Sequence, residues 1–408
     1  MRGSRRRRLL PMSPLYLDNN ATTQILPEVL EAMMPFLTGY YANASSGYRF
    51  ARTPRRAVDT AREQVAALLG ADPTEIVFTS GGTEADNTAL ASAALARPGR
   101  RGIVHSSVEH PAVESFSKHL TEHHGCSRTI IPVSHEGVLD LDQLDAALDP
   151  AHTAVLSLMW ANNETGVLLP VPEAARFAAS RGVYFHTDAV QAIGKTPVSV
   201  RDSGIHFLAL SAHKFHGPKG AGALYASSQV RLRPRITGGA QENGRRGGTE
   251  NVPGIVGLGK AAELARLRLE AGESQRLRNL RDRFEGQLMR ELDGVAVNGH
   301  PGLRLPNTAN LAFSGVDAAA LLMVLDDAGI CASGGSACHT GSVHPSPVLT
   351  AMGISTERAL SSVRFSLSCL TTESEIDQAS IAVVKAVSRL RSLRDQSSPV
   401  IRASPSPR

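Results

Sequence analysis

Three short segments carry side chains that could do chemistry. Lys214 follows the apolar run IHFLAL (205–210) in Ser211-Ala212-His213-Lys214-Phe215-His216-Gly217-Pro218. A lysine at the end of a buried strand, desolvated and near other cations, has a lowered pKa and can attack an aldehyde to form a Schiff base. The plain alternative is a surface lysine; Lys219, five residues on, reads as that or as part of the turn. Asp188 follows VYFH (183–186) in Thr187-Asp188-Ala189-Val190-Gln191. A buried acid is costly unless it meets a cation, and a protonated pyridine nitrogen is one such cation. The plain alternative is a helix N-cap. The third segment, Ser80-Gly81-Gly82-Thr83-Glu84, joins EIVFT (75–79) to the helical pattern ADNTALASAALA. The N–H groups of that first turn and the Thr83 hydroxyl can hold a phosphate, although a Gly pair also serves a simple capped turn.

A phosphate cradle, an acid for a pyridinium and a lysine for an aldehyde together describe a site for pyridoxal 5'-phosphate. His110 precedes a helical pattern and could stack on a flat ring and move a proton, or simply cap that helix. His119 and His123 share a helix face, but no third ligand accompanies them, so no resident metal is expected. The run Ala332-Ser333-Gly334-Gly335-Ser336-Ala337-Cys338-His339-Thr340-Gly341-Ser342 is built of small residues around one cysteine. That composition predicts a mobile loop. With His339 and His344 near it, Cys338 is a candidate nucleophile that carries a group from place to place. Cys126, Cys331 and Cys369 sit in or beside apolar stretches and read as buried thiols.

The elements that must hold these residues alternate. EIVFT (75–79), GIVH (102–105), RTIIPV (128–133), TAVLSLMW (153–160), VYFH (183–186), IHFLAL (205–210) and GALY (222–225) read as strands, with helical patterns between most of them. A helix is expected over Pro54–Leu69, closed by Gly70. This predicts an α/β fold with a mostly parallel central sheet, helices on both faces, and ligands at the carboxyl ends of the strands. Beyond about residue 260 the pattern changes. One long charged helical run (261–292) precedes a strand (307–313) and a helix (317–329). The expected organisation is a basic arm (1–14), a large domain (15–260) whose first segment packs on the small one, a smaller α+β C-terminal domain (261–396) carrying the Cys338 loop, and a Ser/Pro-rich disordered tail (397–408).

Composition narrows the field. The 408 residues are 42% apolar and 20% charged, near the globular average. No stretch of about 18 apolar residues is present, and no membrane contact is expected. Five of the 43 Lys and Arg residues lie in residues 1–8, which leaves 38 against 38 acidic residues elsewhere. A balanced body argues against a nucleic-acid binder, even with Arg231, Arg233 and Arg235 clustered. Four cysteines without a C-x-x-C pair suit a reducing, cytoplasmic setting.

The chain resembles the cysteine desulfurases of the NifS/IscS type, in the class V aminotransferase group of fold type I pyridoxal-phosphate enzymes. The resemblance runs from about Leu15 to Ser392. Its motifs, in order, are YLDNNATT (16–23), SGGTEADN (80–87), VEHPAV (108–113), ANNETG (161–166), HTDAVQA (186–192), SAHKFHGPKG (211–220), GRRGGTEN (244–251), RLPNTAN (304–310), GSACHTGS (335–342) and VRFSLS (363–368). MWANNETG, HTDAVQAIGK and VRFSLS lean toward the nitrogen-fixation branch.

The resemblance implies that Lys214 binds the cofactor covalently, Asp188 pairs with the pyridine nitrogen and His110 stacks on the ring. Asn163 and Gln191 would contact the ring or the substrate. Gly82, Thr83, Ser211 and His213 would hold the phosphate. Thr249 would reach the phosphate of a neighbouring subunit, which implies a homodimer. Arg364 would bind the carboxylate of L-cysteine. Cys338 would carry the persulfide, pass it to an iron–sulfur scaffold protein, and could ligate an iron–sulfur cluster transiently. The reaction implied is L-cysteine to L-alanine with transfer of sulfur. Selenocysteine lyase and class V aminotransferase are the alternatives that share most of these residues. The chain departs from the family pattern at Ala212, at Cys338-His339-Thr340, at Asn43–Tyr48 and at Ser368-Cys369.

Overall fold

The computed structural model describes residues 14–97, 99–334 and 344–397. The basic arm, except Pro14, and the tail, except Ser397, lie outside the described residues, as does the loop with Cys338 and His339.

The first half of the chain alternates short strands with helices. In order come β1 (Leu15–Tyr16), α1 (Pro27–Thr38), α2 (Arg52–Leu69), β2 (Ile76–Thr79), α3 (Gly82–Ala96), β3 (Gly102–Ser106), α4 (Pro111–His124), β4 (Ser127–Ile131), α5 (Leu141–Ala146), β5 (Thr153–Ser157), α6 (Val171–Ser180), β6 (Tyr184–Asp188), β7 (Phe207–Ser211) and β8 (Gly222–Ala226). The expected helix over Pro54–Leu69 is α2, with Pro54 in its first turn and Gly70 in the left-handed region just past its end. Its buried Val58, Ala61, Val65 and Leu69 recur at helical spacing and face the core.

Strands β2 to β8 form one seven-stranded sheet in the order β2-β8-β7-β6-β5-β3-β4. Only β8 runs against its two neighbours; the other pairings are parallel. Parallel strands need crossovers, and helices supply them, so the central strands are buried on both faces. The carboxyl ends of β2, β3, β5, β6 and β7 therefore open on one side.

The second half holds α7 (Val252–Glu270), α8 (Glu273–Glu291), β9 (Val295–Val297), β10 (Thr308–Phe313), α9 (Ala318–Asp327), β11 (Ile330–Cys331), β12 (Ser333–Gly334), α10 (Pro347–Ala351), α11 (Thr356–Leu360), β13 (Ser362–Ser366) and α12 (Glu373–Ser397). The run expected as one helix over 261–292 is two. The chain turns at Gly272, whose φ of 86° ends helical geometry where the charged pattern alone gives no break. The position 260/261 falls inside α7. Ala261, Ala262 and Ala265 pack in the core of the large sheet, whereas Leu277, Leu280, Phe284 and Leu288 of α8 pack in a second core.

That second core lies on an antiparallel sheet, β12-β13-β10-β9. Leu17 belongs to it. β1 pairs in parallel with β11, and Asp18 bridges to Ser366. The first described segment is thus laid against the last strands. No helix among the described residues is long and apolar enough to cross a membrane.

Candidate active site

The open strand ends surround a cavity of about 500 Å³. It is lined by Gly82 and Thr83 after β2, His110 after β3, Asn163 after β5, Asp188 at the end of β6 with Gln191 beyond it, and Ser211 at the end of β7 with His213 and Lys214 beyond it. Arg364 of β13 closes it from the second sheet. Eleven of the twelve residues that the sequence nominates lie in the described part, and ten of them meet here. Thr249 is the exception: it lines an adjacent cavity with Ser80, Gly220 and Arg246. Cys338 lies outside the described residues.

Adjacent strands explain why Asp188 and Lys214 meet. β6 and β7 are neighbours, with Asp188 opposite Ala209. Both chains leave the sheet on the same side, so a separation of 26 residues becomes a cavity wall. Lys214 Nζ donates to the main-chain carbonyls of Asn20 (2.7 Å) and Ala21 (2.8 Å). These two carbonyls orient the amine. Asp188 Oδ1 accepts from Val190 N–H at 2.9 Å, so the residue does cap the following turn. It also faces the cavity. Burial pushes its carboxyl up, while His110 and Lys214 pull it down. A cation placed beside it would fix it as a carboxylate.

His110 is both a cap and a cavity residue. Its Nδ1 accepts from Ala112 N–H at 3.1 Å, at the start of α4. The neutral ring therefore carries its proton on Nε2. Burial lowers its pKa, and so does Lys214.

The other end of the cavity suits an anion. Gly82 begins α3, and the N–H groups of that first turn lack helical partners. A Cβ on Gly82 would sit 2.7 Å from Val190 Cγ2 and 3.8 Å from Ser211 Cβ, so glycine permits the close approach of helix, turn and strand end. Gly82, Thr83, Ser211 and His213 also line a second cavity of about 440 Å³ with Lys219, which is exposed as expected. Burial and the charges of Lys214, Lys219 and Lys195 drop His213 to about 4.

Glu109 and Arg364 each bring an unpartnered polar atom to the cavity. Glu109 Oε1 accepts from Ser106 Oγ and from Met159 N–H, but buried Oε2 has no partner. Burial pushes Glu109 up to about 8. Arg364 Nη2 binds Asp18 and Nη1 binds the Asn163 carbonyl, while buried Nε has no partner. Asp86 also lines the cavity, and its Oδ1 lies 3.3 Å from His186 Nε2. Burial pushes the acid up and drops the imidazole to about 3.

The donor set fits a flat ligand with a cationic edge at Asp188, an anionic tail at Gly82 and Thr83, and an aldehyde at Lys214. Arg364 Nε and Glu109 Oε2 still want partners, as expected of a site shaped for an occupant.

Several cavity residues received no role from sequence reasoning. Asn20, Glu109 and Glu164 line the cavity. Lys195 supports it from behind, bonded to Gln191 and Asn20. Each lies in a motif or run quoted above, which marks the segments without marking these side chains. The remaining cysteines differ from expectation. Cys126 is buried, but Cys331 and Cys369 are only partly so. Cys369 Sγ lies 3.3 Å from His216 Nε2.

Known proteins are similar to this chain in sequence and in fold. Residues 15–379 match the family described as aminotransferase class-V. A protein of Trichormus azollae named cysteine desulfurase is 52% identical over 382 residues, 94% of this chain and 95% of its own length. A solved structure titled NifS-like protein superposes with a TM-score of 0.86 at 35% identity, covering 92% of this chain and all of that one. Another, titled SspA in complex with cysteine, does so with a TM-score of 0.76 at 33% identity, covering 88% and 99%. With the family matched over nearly all its length, the chain belongs to the class V aminotransferases, in the group of cysteine desulfurases.

Proposed function

We propose that this protein is a pyridoxal 5'-phosphate-dependent cysteine desulfurase. It would convert L-cysteine to L-alanine and pass the sulfur to Cys338. The observation that carries the reading is the placement of Lys214 and Asp188 at the ends of adjacent strands, on one cavity with the start of α3. The relatives named cysteine desulfurase and the neighbour solved with cysteine support the choice of substrate.

Pyridoxal 5'-phosphate would be held by Asp188, His110 and Gln191 around the ring and by Gly82, Thr83, Ser211 and His213 at the phosphate. Bound there, it supplies an aldehyde for amines and a ring that draws electrons from a substrate Cα. The protein's own groups do the rest. Lys214 is the amine, and once freed it is the base at Cα. Asp188 keeps a cation in place on the ring edge. Arg364 and Asn163 orient the substrate carboxylate. His110 moves a proton through Nε2. Cys338 thiolate attacks the substrate sulfur: an S–S bond forms, the Cβ–S bond breaks, and the carbon keeps the electron pair and takes a proton.

The acceptor of that sulfur would be an iron–sulfur scaffold protein, with nitrogenase cluster supply as the pathway suggested by the motifs. The active form would be a homodimer. Leu30, Met34 and Leu37 form an exposed apolar stripe on α1, beside exposed Tyr40 and Tyr41. Ser45 Oγ donates to Glu250 Oε1 at 2.9 Å, which ties the loop beyond α1 to the segment bearing Thr249. A second copy seated there would bring Thr249 toward its neighbour's phosphate end.

The test uses purified protein with L-cysteine and a reductant. The wild type should be yellow and release sulfide and alanine in equal amounts. Cys338→Ala should stay yellow and release neither, and Lys214→Ala should lose the visible band of the lysine adduct. A colourless wild type would overturn the cofactor, and a fully active Cys338→Ala would move the sulfur chemistry elsewhere.

A further inference from the structure

Lys195 is 6% exposed and takes no part in the reaction described above. It closes the turn that follows β6, with its N–H donating to Ala192 O at 3.0 Å. Gly194 directs it inward. Gly194 has φ +75°, and a Cβ there would meet Phe215 Cβ at 2.8 Å, so only glycine allows this close approach.

The lysine nitrogen donates to Gln191 Oε1 at 2.6 Å and to Asn20 Oδ1 at 3.3 Å. Both partners are amide oxygens, and no ion pair to a carboxylate joins Lys195 among the described residues. Burial, aided by the charges of Lys214 and Arg364, pushes its pKa well below the usual lysine value. Burying an amine without a counter-charge is unfavourable. Space filling alone does not explain it, since an apolar side chain would fill the volume without that penalty.

The two contacts orient the groups that reach the cavity. Because Lys195 donates to it, Gln191 turns its oxygen toward Lys195 and its Nε2 the other way. Nε2 donates one hydrogen to the Asn20 carbonyl at 2.9 Å. The second hydrogen is what Gln191 can offer to the cavity it lines. Asn20 is pinned in the same manner. Its Oδ1 accepts from Lys195 and from Asn307 Nδ2, and its Nδ2 donates to Thr308 Oγ1 and the Asn163 carbonyl. Its own carbonyl then stands 2.7 Å from Lys214 Nζ.

We propose that Lys195 is a positioning residue for the Lys214 site: it fixes Gln191 as a hydrogen-bond donor to the occupant of the cavity and anchors the Asn20 carbonyl that holds Lys214. This rests on the reading of the cavity as a pyridoxal 5'-phosphate site.

Lys195→Met keeps the length of the side chain and removes the donor. Three quantities are measured on it: the affinity of the apoprotein for pyridoxal 5'-phosphate, the pH midpoint of the visible band of the bound form, and the thermal melt. The variant should melt cooperatively, bind about tenfold more weakly, and show a midpoint moved by about half a pH unit or more. Gln191→Leu should do the same. The double variant should be no worse than either single one, because both break one chain of contacts. A packing role alone would lower the melt and leave the midpoint in place. Wild-type affinity and midpoint in Lys195→Met, or losses that multiply in the double variant, would overturn the inference. Should Lys195→Met fail to fold, Gln191→Leu decides alone, and an unchanged midpoint there also overturns it. A wild type without a visible band brings down the reading of the site and this inference with it. A wild-type band with an unchanged Lys195→Met removes only the inference.

Discussion

Arg364 Nη2 lies 2.7 Å from Asp18 Oδ1, so the guanidinium proposed to bind a substrate carboxylate already holds one from its own chain. Asp18 occupies one edge of the fork and the Asn163 carbonyl another, while Nε has no partner. Asp18 thereby sets the plane in which Arg364 meets a ligand. Arg364→Lys loses that planar fork while keeping the charge. It should raise KM for L-cysteine about tenfold or more, ~1.4 kcal/mol, with a smaller change in kcat. Asp18→Asn should raise it less. Steady-state kinetics on both variants checks the order; a larger effect from Asp18→Asn would mean that orientation counts for more than the charge.

Asp188→Asn keeps the shape of the cavity wall and removes its ability to hold a cation. The kcat should fall at least a hundredfold, about 2.7 kcal/mol of barrier, while the melting temperature changes little. Turnover and thermal melts together test this. Near-normal turnover would show that Asp188 serves only as the cap of its own turn.

Burial pushes Glu109 to about 8 and Glu164 to about 7. An unfolded glutamate titrates near about 4.3. Between these values the folded protein binds more protons than the unfolded chain, so stability falls as pH rises. The contribution is complete below the unfolded value and gone above the folded one. Glu109→Gln should therefore flatten the fall in melting temperature of the apoprotein between about pH 5 and about pH 8. Melts across that range give the answer, and an unchanged slope would mean that Glu109 is ionised in the folded state.

The α1 stripe gives a prediction about assembly. Leu30 and Leu37 are 47% and 54% exposed, one turn on either side of Met34. The double variant Leu30→Glu/Leu37→Glu should shift the protein from dimer to monomer in sedimentation. It should also weaken pyridoxal 5'-phosphate binding, because Thr249 would lose its neighbour. A dimer that survives both charges would place the interface on another face.

The sequence makes plain what depends on neighbours in the chain. Lys214, Asp188 and Gly82 stand out because each sits where an apolar run stops, and the parallel sheet then brings those ends together. Lys195 and Asn20 do not stand out. Lys195 follows a glycine in a turn like any surface lysine, and only the contact with Asn20, 175 residues away, reveals its role. Glu109 carries no local sign of burial beside the more conspicuous His110. The break at Gly272 is hidden by the charged pattern, which continues on both sides of it.

The pairing of the first described strand with late ones has a consequence for the order of events during synthesis. Asn20 N–H meets Ser366 Oγ across 346 residues, and β1 lies along β11. The carbonyls that hold Lys214 therefore cannot be secured until β13 has left the ribosome. Until then the nascent chain has its lysine and its acid but no finished pocket around them. Its amine chemistry is withheld until nearly the whole described fold exists, so a chain interrupted before β13 would be inert rather than partly active.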